Sequence, residues 1–332
     1  MRVVTRNGYV QVARCLALDV MTAEVVTALR VAGIEVVLLK GPATVRWLYV
    51  EDPGQRPYGD ADLLVAPSRF DDAGRAMSEL GFRDALNGIR ASEASRLHEL
   101  AWDRAPHERV ELHRSFGGVG DADAFWAAMR RHTSPLTVAA AQVAAPDRVA
   151  GALLYALHAA HHGQDRGFYQ PLKDLRRAVE QFDDAVWLEA AELATEVDAA
   201  GPFAVGLSLD PGGRDLADRL SLRAPASSLT WLKAKGVFHS GDMRMGQIAA
   251  ARTSGERLQM VRDGLFPSHA WITALQPELR GHPLALAAAY LRRWLTFAIE
   301  FPRAVLHWCS ATVASRRSGW PPFREDRSKS VR

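Results

Sequence analysis

Cysteine is nearly absent: Cys15 and Cys309 are the two in 332 residues and lie far apart. That count excludes a disulfide framework and a cysteine-built zinc cluster. A large excess of one charge is missing too. The net charge is +3 with basic residues scattered, so there is no strong electrostatic signal for nucleic acid. Long hydrophobic runs are also lacking. The nearest, Pro283 to Ile299, is interrupted by Arg292-Arg293, so no membrane span is expected. Arg6, Arg14 and Asp19 break up the N-terminal region where a signal peptide would need an apolar core, and a cytoplasmic protein is the expectation. Internal repeats and low-complexity blocks are absent. What remains is 48% hydrophobic and 24% charged residues, the balance of a soluble globular chain long enough for two domains.

Periodicity divides the chain into two halves. Apolar residues recur at helical spacing from 11 to 32, and Gly33 stands where a helix would be capped. Val36 to Leu39 reads as a buried strand, Ala43 to Val50 as a helix, and Asp60 to Val65 as a second strand. A helix is expected from Arg69 to Leu80. A hairpin follows from Leu100–Asp103 and Arg109–His113 around a Pro106-His107-Glu108 turn, then a short helix from Asp121 to Arg131. After residue 145 the pattern is helical throughout, with helices near 147–163, 172–182 and 185–200. The expected architecture is α/β, a small mixed sheet with flanking helices, followed by an all-α C-terminal region. Residues 1–145 form the first domain, 146–315 the helical one, and the basic tail 316–332 is expected to be disordered.

The stretch VVLLKGPATVRWLYVEDPGQRPYGDADLLV (36–65) carries the chemistry. A glycine at a strand-to-helix turn, Gly41, lets backbone N–H groups approach a phosphate. Asp60 and Asp62 alternate with apolar residues, so both carboxylates leave one face of a strand and repel each other unless a cation lies between them. Glu111 adds a third acid on a neighbouring strand. Three carboxylates so arranged are a hard oxygen site suited to Mg²⁺. Two such ions can activate an attacking oxygen and stabilise a leaving pyrophosphate. His158 and His162 have the i,i+4 spacing of helical metal ligands, but without the Glu of an HExxH motif they do not indicate zinc. His158 is expected to pack near the cleft. Trp47 and Tyr49 read as packing residues, and Arg292-Arg293 as solvated surface.

LLKGPA, RPYGDADLLV and VELH together resemble the nucleotidyltransferase superfamily that includes DNA polymerase β. The closer likeness is to a bacterial family of uncharacterised nucleotidyltransferases, some of whose members sit in lasso-peptide biosynthetic clusters. The His-rich segment 157–162, Leu-Lys-Asp-Leu at 172–175 and Leu-Phe-Pro-Ser at 265–268 extend the resemblance along most of the chain. It implies Mg²⁺-dependent (or Mn²⁺-dependent) transfer of a nucleoside monophosphate from an NTP such as ATP, with release of pyrophosphate. The acceptor is left open: a peptide, a protein or a small molecule. Asp60, Asp62 and Glu111 are then the catalytic metal ligands. Lys40, Gly41, Arg56, His113 and Lys173 are expected around the nucleotide, with His113 orienting a ligand from behind.

Two features depart from the superfamily. Pro42 stands where a Ser or Gly usually follows the glycine, removing a hydroxyl from the triphosphate and leaving Lys40 as its substitute. The 18 residues between Gly41 and Asp60 make an unusually long loop, which brings Arg56 to the mouth. Two other readings fit the same fold: a non-catalytic nucleotide- or peptide-binding adaptor, and a phosphotransferase. The lack of a GxxxxGK[ST] or kinase-type Gly-rich loop argues against the second.

Overall fold

The computed structural model describes residues 6–94, 96–104, 107–162, 169–222, 245–246, 248–249, 251 and 253–318. Helix α1 (Arg6–Val31) ends at Gly33, whose φ of 69° allows the Gly33 and Ile34 amides to cap Arg30 and Leu29. Strand β1 (Val36–Leu38) follows, then helix α2 (Pro42–Leu48), strand β2 (Ala61–Val65) and helix α3 (Phe70–Glu79). Strand β3 (Arg83–Asp84) and the short helix α4 (Ala91–Ala94) lead to the hairpin β4 (Glu99–Arg104) and β5 (Glu108–His113). Its expected turn includes Pro106, outside the described residues. Helix α5 (Ala122–Arg131), capped by Asp121, leads into strands β6 (Thr133–Val138) and β7 (Ala141–Pro146).

The seven strands form one mixed sheet in the order β3-β4-β5-β2-β1-β7-β6. Strands β6 and β7 are not apparent in the sequence. Strand β6 carries Pro135, tolerated because β6 is the sheet edge where a missing N–H leaves no ladder bond unmade. Strand β7 contains Ala141, Ala144 and Ala145, which carry little strand propensity.

Alternation gives the sheet two apolar faces. Leu38, Leu63, Val65, Val110 and Leu112 pack with α1 and α3 on one side. Val37, Leu64, Phe116, Phe125 and Met129 meet the helical half on the other. That half consists of α6 (Arg148–His162), α7 (Gln170–Gln181), α8 (Asp184–Glu196), α9 (Ala200–Ser208) and α10 (Pro211–Arg219). Helix α6 is buried along most of its length and is its centre. Helix α9 crosses it at Gly206, where any side chain would overlap the Ala156 carbonyl.

Helices α11 (Ser254–Leu265), α12 (His269–Leu275) and α13 (Pro283–Ser318) complete the described chain. Residues 316–318, expected to begin a disordered tail, continue α13; 319–332 lie outside the described residues. No helix among the described residues is long and apolar enough to cross a membrane.

These last helices are tied to the α4 segment by buried acids. Asp263 accepts hydrogen bonds from Ser92 (2.8 Å) and Arg96 (2.9 Å), and Glu93 accepts one from the Ser268 amide (2.8 Å). Burial pushes both carboxyls up, but these donors outweigh it and hold both below the ordinary range. A carboxyl whose pKa is lower in the folded state stabilises the fold above its unfolded pKa, and that contribution fades as pH falls through the folded value. Hydrogen-exchange protection across α11 and α12 is therefore expected to hold at neutral pH and fall below about pH 4, where unpaired carboxyls titrate. Asp263→Asn should lower that protection already at pH 7. Unchanged protection in the variant would mean that apolar packing alone holds these helices.

Candidate active site

Register brings the acids together. Strands β1 and β2 are antiparallel with Leu38 opposite Leu63, and the Leu39 amide donates to the Asp62 carbonyl (2.9 Å). Strands β2 and β5 are parallel with Asp62 beside Glu111 and Leu64 beside His113. The hairpin then sets Glu99 opposite His113. Because strand side chains alternate, Asp62, Glu111, His113 and Glu99 share the face toward α6. Asp60 lies just before β2, two residues from Asp62 and on the same side.

Asp62 is the hub. It is 3% exposed, and its Oδ1 accepts from Lys40 Nζ at 2.5 Å and lies 3.1 Å from His113 Nε2. Burial works to raise its pKa, but the Lys40 ammonium and His113 outweigh it and hold Asp62 far below the ordinary carboxylate range. His113 is fully buried. Glu99 Oε2 is 3.2 Å from His113 Nδ1 but off the direction of that ring atom, which has no aligned hydrogen bond. Glu99 itself is held at about 2: burial raises it, while His98 and His113 lower it further.

The other two acids behave oppositely. Burial, together with the charges of Asp62 and Glu99, pushes Glu111 up to about 8. Burial and Asp62 likewise raise Asp60. Asp60, Asp62, Glu99 and Glu111 thus line a cleft of about 470 Å³ in which Lys40 is bound to Asp62. This surplus of negative charge, on hard oxygen donors, fits a divalent cation. Ligand atoms of Asp62, Glu111 and His113 lie within 4.8 Å of one another. That compact group contains His113 and leaves out Asp60, which lines the cleft.

Of the residues anticipated around a nucleotide, Lys40, Gly41 and Arg56 line this cleft. Gly41 has φ 60° and ψ −117°, a backbone conformation that a side chain would strain, and it caps α2 ahead of Pro42. Arg56 is 8% exposed, and its Nε pairs with Asp174 (2.9 and 3.1 Å). His113 lies behind the acids rather than on the wall. Lys173 does not reach the cleft: it is exposed on α7, while its neighbour Asp174 is the buried residue. Trp47 and Tyr49 pack as expected, Trp47 donating to the Pro146 carbonyl and Tyr49 to Asp174.

The opposite wall comes from the helical half. His158, His161 and His162 on α6 and Gln170 at the start of α7 line it, with His98 stacked edge-on against His161. Burial and the Lys40 charge push His158 well below the ordinary imidazole range, so it is neutral. Glu99 and His98 are the site residues that sequence reasoning missed. Leu100 and Trp102 are buried on one face of β4, so beginning that strand one residue earlier puts Glu99 on the face of Glu111. A larger cavity, about 530 Å³, is bounded mainly by α11, α12 and α13 and contains none of the candidate acids.

Comparison with known proteins agrees with the motifs. The model of a family described as uncharacterised nucleotidyltransferase matches residues 7–209. The segment 265–268 lies beyond that match. No curated protein matches the chain. A solution structure of the antibiotic-resistance factor ANT(2'')-Ia is similar with a TM-score of 0.40 and 13% identity, over 55% of this chain and 93% of that one. A crystal structure of ANT(2")-Ia in complex with adenylyl-2"-tobramycin is similar at 0.36 and 12%, over 53% and 97%.

Proposed function

The chain belongs to the family of uncharacterised nucleotidyltransferases, and we propose that it moves a nucleoside monophosphate from an NTP to an acceptor with release of pyrophosphate. ATP is one candidate donor; the acceptor presents a hydroxyl or phosphate oxygen on a peptide, a protein or a small molecule. The observation that carries this reading is the pairing of Asp62 with Glu111 across β2 and β5, in a cleft whose acids outnumber its bound cation.

Asp60, Asp62 and Glu111 would hold Mg²⁺ or Mn²⁺. A divalent ion there supplies charge neutralisation at the transferred phosphoryl group and the leaving pyrophosphate. The acceptor oxygen bonds to the α-phosphorus as the bond to the bridging oxygen breaks. Glu111, protonated in the metal-free cleft, would be held as the carboxylate by a bound divalent ion, and as that carboxylate it would receive the acceptor's proton. His113 fixes the orientation of Asp62 through its 3.1 Å contact. Gly41 would border the β- and γ-phosphates, with the Lys40 ammonium, held by Asp62, between them and the acids. Arg56, already engaged with Asp174, contributes a fixed positive field at the mouth rather than a mobile clamp. In this reading residues 1–145 are the catalytic domain, and the helical domain from 146 to 315 closes the cleft with its histidines.

The test is incubation with each α-labelled NTP and Mg²⁺ or Mn²⁺, scanning small molecules and peptides as acceptors. Wild type is expected to release pyrophosphate, and the Asp60→Asn/Asp62→Asn variant to lose at least about 10³-fold in rate, on the scale of removing preorganised charge stabilisation. Equal release by both proteins refutes the assignment of the acids. A nucleoside diphosphate product would identify a phosphotransferase instead.

A further inference from the structure

Lys40 stands where sequence reasoning expects a phosphate ligand, yet its ammonium is turned into the acids. Nζ is 2.5 Å from Asp62 Oδ1 and 5.4 Å from the centre of the Phe116 ring, seated between a carboxylate and an aromatic face. Its side chain is 18% exposed. Glu111 and Glu99 also act on it electrostatically. The oxygen that Lys40 holds belongs to one of the residues that would bind a divalent ion, and His113 Nε2 approaches the same oxygen.

From this geometry we infer that Lys40 is the resident cation of the acidic cluster, opposing free divalent metal until a triphosphate offers its ammonium a second anion. The inference rests on the cleft being a metal–nucleotide site. Its physical basis is that an ammonium and a divalent ion sharing one carboxylate repel each other strongly where water is scarce. A triphosphate offsets that repulsion by giving the lysine an anionic partner other than the carboxylate it shares with the metal. Metal and nucleotide therefore bind with positive coupling, which by linkage is the same for either order of addition. Lys40 acts here as a positioning and selectivity residue: it makes the metal–NTP complex, rather than the bare ion, the species the site accepts.

Mn²⁺ titrations followed by electron paramagnetic resonance or calorimetry, with and without a non-hydrolysable NTP analogue, test this on the full chain. Without nucleotide, Lys40→Met and Lys40→Gln are expected to bind Mn²⁺ about tenfold tighter than wild type or better, whereas Lys40→Arg should stay near wild type. With saturating analogue, wild-type affinity for Mn²⁺ should rise about tenfold, and the advantage of the neutral variants should vanish. Neutral variants that bind bare Mn²⁺ no better than wild type overturn the inference, since a lysine serving only phosphate would behave that way. If neither neutral variant folds, the wild-type arm still decides: equal Mn²⁺ affinity with bound analogue and without it overturns the coupling. Tighter Mn²⁺ binding by the variants with no analogue binding to any protein would leave the resident cation standing and sink the nucleotide reading.

Discussion

Glu111→Gln is expected to lower nucleotidyl transfer by roughly 10³-fold or more, the scale of losing a general base, while making the metal-free protein more stable. Glutamine reproduces the shape of the protonated carboxyl and cannot ionise. In the native protein burial and the nearby charges of Asp62 and Glu99 push Glu111 up to about 8, far above an unfolded glutamate near 4.3. Between those values the folded state holds a proton that the unfolded state has released, so this group's contribution to stability declines as pH rises. The variant escapes that decline. Its advantage should be near zero at pH 4, grow through neutral pH and reach roughly 1–3 kcal/mol above pH 8. Urea unfolding at several pH values in the presence of a chelator measures it. A constant offset across pH would mean that Glu111 is not strained by its neighbours. Loss of stability together with activity would mean that the residue serves structure. The predicted combination, a more stable and inactive enzyme, is the signature of a site that holds like charges together for function.

The acids themselves were legible because Asp62 and Glu111 lie on short strands with an alternating pattern that fixes their face, and Asp60 stands one residue ahead of its strand. Asp60, Asp62 and Glu111 needed no knowledge of tertiary structure beyond the expectation that their strands are neighbours. Lys40 was legible as a residue but not in its partner, because its contact with Asp62 follows from the register of β1 on β2. The hydrophobic pattern of a three-residue strand does not fix such a register. Glu99 was lost to a strand boundary set one residue late. Strands β6 and β7 were lost because Pro135 and the alanines of β7 carry no strand signal; the edge position tolerates Pro135 in β6, and pairing on both sides holds β7. On α7 the error was one of face. Pro171, Asp174, Leu175 and Ala178 form its buried stripe, so helical spacing pointed at Asp174. Lys173 was preferred because a cation suits phosphate, which is an argument about chemistry that ignored geometry.

Asp174→Ala is expected to cost about 3–5 kcal/mol of stability, the scale of breaking a buried ion pair from one side. The carboxylate is 1% exposed and is held by four contacts: two from Arg56 Nε (2.9 and 3.1 Å), one from the Tyr49 hydroxyl (2.7 Å) and one from Gln170 (2.8 Å). Its removal leaves the Arg56 guanidinium buried without its counter-ion, and leaves the Tyr49 hydroxyl and the Gln170 amide short of an acceptor. The pair also joins the two halves of the molecule, since Arg56 belongs to the long loop before β2 and Asp174 to α7. Denaturant unfolding of Asp174→Ala and of Arg56→Met/Asp174→Leu separates structure from chemistry. Replacing both charges with apolar groups of similar volume removes the stranded ion, so the double variant should recover most of the lost stability. If Arg56 supplies a positive field to the cleft, the recovered protein should still turn over slowly, with the loss in kcat rather than in KM. Full activity in the stable double variant would assign the pair to holding the loop against α7 and nothing more. A loss in KM alone would give Arg56 a part in nucleotide binding that is equal in the ground and transition states.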